Sequence, residues 1–178
     1  MENRHTGTLT REPSTFSRRS PGRSSRPGGY MGDVRWLSPD EQVAWRAYIR
    51  GVAVVLETLN QDMETVNGIS LHEYEVLSYL SESADWTLRM STLADLLVHS
   101  RSRLTHTVRR LESQGYVRRI PCEDDRRGVN CVLTDVGYGK LVEAAPSHVE
   151  AVRRCLIDKL GSDNMLELGR LCSLVSDG

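Results

Sequence analysis

From residue 38 onward the apolar residues recur at spacings of three and four, and the chain reads as a succession of helices. In "WLSPDEQVAWRAYIRGVAVVLETLNQDM", Trp45, Ile49, Val52, Leu56, Leu59 and Met63 alternate at four and three residues, a stripe suited to packing on another helix. Ser38 is placed as N-cap, Pro39 fits the first helical position, and Glu41 completes a capping box. Gly68 ends that helix. Ser70 and Glu73 open a second, with Leu71, Tyr74, Leu77 and Leu80 on one side. Ser91 is expected to cap a short helix carrying Leu93, Leu96 and Leu97. After a brief turn, Ser100 caps another, in which Leu104, Val108 and Leu111 recur, and Gly115 is its expected C-cap.

The period then changes. "YVRRI" and "VNCVLT" have strand character and flank the polar turn "PCEDDRRG", which makes a hairpin. Thr134 is expected to cap a long helix from Asp135 to about Leu160, interrupted at Pro146, with the stripe Val142, Ala145, Val149, Val152 and Leu156. Ser162 starts a last helix bearing Met165, Leu168, Leu171 and Val175. A short helix, a tight turn, a second helix and a hairpin make a winged helix-turn-helix over residues 70–134. The expected fold is therefore mainly α with a small β-hairpin wing. Two apolar seams, in 34–66 and 135–178, exceed what a winged helix needs for its own core. They point to a two-fold dimer.

Residues 1–33 lack apolar periodicity. "SRRSPGRSSRPGG" cannot bury enough surface to offset its ordering entropy, so this segment is read as a disordered basic tail. Met31, followed by "GDVRWLSPDEQ", is an alternative natural start.

Charge sharpens the picture. The 178 residues carry a formal net charge of −1. The first 30 hold six arginines against Glu2 and Glu12; without them 17 basic and 22 acidic residues remain. Within this acidic body, residues 100–134 gather Arg101, Arg103, Arg109, Arg110, Arg118, Arg119, Arg126 and Arg127 against four acids. A localised cationic face on two successive elements indicates a nucleic-acid surface. With Leu104, Val108 and Leu111 turned inward, the opposite side of that helix presents Ser102, His106 and Arg109, flanked by Arg103 and Arg110. Ser100, Ser102, Arg103 and His106 occupy the part of a recognition helix that reaches base edges, whereas Arg109 and Arg110 suit phosphates. Arg126 and Arg127 extend the surface by the length of the wing, toward an adjacent minor groove, with Asp125 as the carboxylate supporting Arg127.

Other chemistry is sparse. There is no phosphate loop, no HExxH and no nucleophile elbow, so no enzyme and no cofactor are expected. Cys122, Cys131, Cys155 and Cys172 show no CxxC pairing, and no metal site is expected. Cys122 and Cys131 flank the wing turn, which leaves a redox- or metal-responsive regulator as the alternative reading. No run of about 18 apolar residues and no signal h-region occur, so a cytoplasmic protein without membrane contact is expected.

"LRMSTLADLLVHSRSRLTHTVRRLESQGYVRRIPCEDDRRGVNCVLTDVG" resembles the winged helix of the multiple antibiotic resistance regulator (MarR) family. The specific part is Asp125-Arg126-Arg127-Gly128 followed by "VLTDVG", and the resemblance extends over residues 36–176. It implies a homodimeric transcription factor, usually a repressor, on a pseudo-palindromic double-stranded DNA operator, with the first and last two helices building the dimer. It also implies release by a small phenolic or other lipophilic effector bound between that interface and the winged helix; Trp45 and Tyr48 are the candidate ligand contacts. At matching positions Arg127 would enter the minor groove with Asp125 as its partner. The peroxide-sensing branch uses a cysteine near the first helix, and this chain has none before Cys122.

Overall fold

The computed structural model describes residues 34–122, 125 and 128–176. The expectations for the tail, for Met31 and for Arg126 and Arg127 fall outside the described residues. All elements belong to the compact unit that begins at Ser38.

Helix α1 spans Pro39–Asn67 and α2 spans Leu71–Glu82, each opened by the expected capping box, Ser38 with Glu41 and Ser70 with Glu73. Gly68 closes α1 at φ +68°, a left-handed turn that suits glycine, and donates to Glu64 O at 3.1 Å. A 3-10 turn, Ala84–Trp86, leads into strand β1 (Thr87–Arg89), then α3 (Met90–Leu96) and α4 (Arg101–Ser113). The wing strands are β2 (Val117–Pro121) and β3 (Val129–Leu133). Helix α5 (Asp135–Val152) passes through a π turn, Arg153–Ile157, into the short α6 (Asp158–Leu160), and α7 spans Ser162–Ser176.

The expected two-stranded wing is an antiparallel three-stranded sheet in the order β1-β3-β2. Its register places Leu88 opposite Cys131, and Cys131 opposite Arg119. Ser91 does not cap α3. That helix begins two residues earlier, after an extended Arg89 with no side-chain cap, because the chain enters it directly from a strand. Gln114 is the C-cap of α4, and Gly115 follows it at φ +75°. Gly115 N–H donates to Glu112 O and Tyr116 N–H to Leu111 O, both at 3.0 Å, which is the paired closure that a left-handed residue permits. Pro146 does not interrupt α5; it sits on the exposed side, where water can replace the hydrogen bond it lacks. The irregularity comes later, at the π turn.

The core is formed by α2, α3, α4 and the sheet, closed by the last turns of α1 and by α5. The buried residues are Gly137, Leu141, Ala144 and Ala151 in α5 and Cys155 in the π turn. This face is displaced by one residue from the expected stripe, and Val142 and Val149 are exposed. The upper stripe of α1 is exposed too: Trp45, Ile49, Val52 and Leu56 face outward, and only Leu59 and Met63 are buried. No helix among the described residues is long and apolar enough to cross a membrane.

Candidate nucleic-acid interface

Helix α4 is divided as its sequence demands. Leu104, Val108 and Leu111 are fully buried, while Arg101, Ser102, Arg103, His106, Arg109 and Arg110 are exposed. Ser100 starts the helix by accepting a hydrogen bond from Arg103 N–H at 3.3 Å, so its hydroxyl is committed to the cap. Arg101, Ser102 and His106 have no side-chain partner among the described residues. Arg101 lines a cleft of about 310 Å³ with Arg89, Ser91, Thr105 and Asp125, between the start of α4 and the wing turn. Its exposure and position were not singled out from the sequence, because helical phase alone cannot say on which side the wing lies.

Two arginines are held from behind by α2. Arg103 Nη2 donates to His72 Nε2. Arg110 Nε lies 3.2 Å from Oε1 of Glu73, whose side chain is 1% exposed. This contact is ionic rather than a directed hydrogen bond, since Oε1 has no hydrogen-bond partner among the described residues. The other oxygen, Oε2, accepts from Ser70 N–H at 2.8 Å and from Ser70 Oγ at 2.9 Å. Arg110 thus neutralises a buried carboxylate that the sequence reading treated only as half of a capping box. Arg109 faces outward, and its charge helps to lower the pKa of Glu112.

The wing is tied to α4 and β1. The Glu112 carboxylate accepts from Arg119 N–H at 3.1 Å, Arg119 Nε at 3.0 Å and Arg119 Nη2 at 2.6 Å. Asp125 Oδ2 is 3.5 Å from Arg89 Nη1, a link between the wing turn and β1 that sequence did not suggest. Gly128 N–H closes the turn on Asp125 O at 2.8 Å, and an added Cβ there would meet Cys122 Sγ at 2.8 Å. The expected support of Arg127 by Asp125 lies outside the described residues.

Cys122 and Cys131 are not bonded to each other. Cys122 donates to Asn130 Oδ1 at 2.9 Å, and both Cys122 and Cys131 are free thiols. Cys122 N–H bonds Gly128 O, so the two cysteines are three register positions apart, roughly 10 Å along the strand. Burial, and then the nearby Glu112 charge, push the Cys131 thiol up to about 12. Of the expected ligand contacts, Tyr48 lines an apolar cleft of about 300 Å³ with Val52, Val55, Leu156, Leu168 and Cys172. Trp45 lies outside it, its ring centroid 6.2 Å from that of Tyr48.

The sequence model of the MarR family matches residues 67–128, from the end of α1 to the wing turn. Among solved structures, Sco3205 from Streptomyces coelicolor, a MarR family transcriptional regulator in complex with DNA, is 39% identical, with a TM-score of 0.77 over 82% of this chain and 91% of its own. The chain belongs to the MarR family. AbsC, a second MarR family transcriptional regulator from Streptomyces coelicolor, is 38% identical, with a TM-score of 0.73 over 81% and 97% of the two chains. The HTH-type transcriptional regulator PecS of Dickeya dadantii (strain 3937) is 36% identical over 89 residues, 49% of this chain and 54% of PecS. The chain thus matches little more than half the length of that curated relative. MarR proteins are transcriptional regulators rather than enzymes.

Proposed function

We propose that this MarR chain is a homodimeric, sequence-specific DNA-binding regulator of transcription, a repressor that a small lipophilic or phenolic ligand releases. One observation carries the reading: Ser102, His106 and Arg109 project from a helix whose opposite side is wholly core. A helix so presented fits the major groove, where arginine can bind guanine bidentately. Sco3205, crystallised in complex with DNA, supports the same use of this fold. The exposed Trp45, Ile49, Val52, Val142, Val149 and Leu174 supply apolar surface for a second copy. Two-fold pairing would set two α4 helices at half-sites about 34 Å apart. For the effector, a cavity of about 400 Å³ lies between α1, α2 and α5, lined by Leu56, Leu59, Leu71, Tyr74, His148 and Val152.

The test is affinity for genomic fragments that the purified protein retains, measured against random DNA across a salt series. His106→Ala and Arg109→Ala should weaken binding. Arg103→Ala should cost roughly 1–3 kcal/mol on the operator and relax preference at one position per half-site. Each lost phosphate contact should lower the salt slope by about one unit per half-site. Small, equal losses with an unchanged slope would mean that the cationic face is only solvated.

A further inference from the structure

His72, Glu75 and His99 meet beside the start of α4. His72 and Glu75 are three residues apart on α2, on one helical face, and His99 stands in the turn between α3 and α4. His72 Nδ1 lies 3.1 Å from Glu75 Oε2. The rings of His72 and His99 meet edge to face with centroids 4.6 Å apart. One ligand atom from each of the three residues falls within 4.8 Å of the others. His99 Nδ1 is buried and has no hydrogen-bond partner among the described residues.

We propose that these three side chains bind a divalent first-row cation of the zinc type, and that the bound ion releases Arg103 from His72 toward the outer face of α4. Two imidazoles and a carboxylate suit Zn²⁺, with water in the fourth position. Tetrahedral ligands about 2.0–2.2 Å from the ion stand about 3.3 Å from one another, so the 4.8 Å spread closes by side-chain rotation. His72 and Glu75 are about one-third exposed, which leaves the ion a path from solvent.

The link to Arg103 is a matter of proton counting. A neutral imidazole has one N–H and one lone pair, and arginine can only donate. In this structure Arg103 occupies the lone pair on His72 Nε2, which leaves the N–H on Nδ1, facing Glu75. An ion bound at Nδ1 requires the ring proton to move to Nε2. An ion bound at Nε2 takes the lone pair itself. Either way the guanidinium loses its acceptor and faces a second positive charge. Ion and arginine compete for one lone pair, and Arg103 is one of the side chains assigned above to DNA. Ion binding does not depend on that assignment; its effect on DNA affinity does.

The experiment uses the full chain, stripped with a chelator. Calorimetry with Zn²⁺ should give one ion per chain. Co²⁺ should give the ligand-field bands of a tetrahedral nitrogen and oxygen site, with no thiolate charge-transfer band. His99→Ala and Glu75→Gln should each weaken binding by at least the ~10-fold that loss of even an outer-shell partner costs, and Arg103→Ala should tighten it. No binding, a thiolate band, or affinity unchanged in both ligand variants would overturn the site. In a second arm, Zn²⁺ should raise the affinity of the wild-type chain for its retained DNA fragments, and should do nothing in His99→Ala or Arg103→Ala. If the ion binds as expected and DNA affinity stays constant, the release of Arg103 is wrong and the site stands. A chain that binds no DNA at all refutes the functional reading, and the titration still decides the site.

Discussion

Glu112, in the last turn of α4, and Arg119, on β2, are joined by three hydrogen bonds to one carboxylate, one from the backbone and two from the guanidinium. The side-chain bonds of Arg119 are the main reason that the Glu112 carboxyl is held below its ordinary value of 4.5. A depressed carboxylate stabilises the fold above its ordinary pKa and loses that contribution as pH falls through the folded value. Glu112→Gln should therefore cost about 1 kcal/mol at neutral pH, a figure reduced because both side chains are about one-third exposed. Denaturant unfolding of both proteins across acid pH should show the gap closing below about pH 4. A gap that is constant with pH would mean that packing, not charge, ties wing to helix.

Val98 gives a prediction of the opposite sign. It occupies the turn before α4 at φ +51° and is 91% exposed. Its N–H bonds Asp95 O, and His99 N–H bonds Ala94 O, a closure in which glycine is usual. A left-handed β-branched residue costs about 1–2 kcal/mol, partly offset in glycine by its greater unfolded freedom. Val98→Gly should raise stability by about 0.5–1 kcal/mol in thermal melts. An unchanged or lower melting temperature would mean that the strain is absent.

Gly137 is intolerant for a steric reason. An added Cβ would lie 2.0 Å from Tyr116 O and 2.8 Å from Leu133 Cδ1. The first of these is backbone at the junction of α4 and β2 and cannot step aside. Gly137→Ala should lose about 3 kcal/mol or more, whereas Gly139→Ala, with open space around its Cβ, should not. Equal melting temperatures for the two variants would show that the junction can move.

Cys131 should be silent to thiol reagents in the folded protein at pH 8, because it is fully buried and its thiol is pushed up to about 12. Peptide mapping should find it labelled only after unfolding. Labelling in the native state would reopen the redox alternative.

The dimer reading is best tested at the exposed side of α5. Val152 and Leu156 pack partly against the chain's own core, so charging them would disturb the monomer as well. Val142 and Val149 are more than half exposed. In an isolated chain Val149→Asp should be harmless, whereas in a dimer seam it should produce monomers without DNA binding. Sedimentation of an intact Val149→Asp dimer would remove α5 from the interface.

What could be read from sequence follows the range of each interaction. The caps at Ser38, Ser70, Ser100 and Thr134 are local, three residues wide, and all four form. Strand β1 is three residues with no alternation to count, and it exists only because β3, some forty residues later, pairs with it. In α5 the large aliphatics mark the outer face. The inner face uses Gly137, Ala144 and Ala151, small residues that permit close packing and carry almost no periodic signal. The outward residues of α4 were legible as a group. Their tethers to His72 and Glu73 were not, because contacts between helices thirty residues apart leave no mark on spacing.

Thr134 has a wider consequence. Its one hydroxyl proton is shared between Gly115 O at 2.7 Å and Tyr116 O at 3.0 Å while the oxygen accepts from Gly137 N–H at 3.0 Å, and its own N–H bonds Tyr116 O at 3.1 Å. The end of α4, the first wing strand and the start of α5 are thereby soldered at one residue. Anyone wishing to move this cationic surface onto another scaffold cannot cut out α4 alone. The smallest cassette that keeps its own joints runs from Ser70, so that α2 brings His72 and Glu73 to Arg103 and Arg110, to Gly137, whose close neighbours Tyr116 O and Leu133 travel with it.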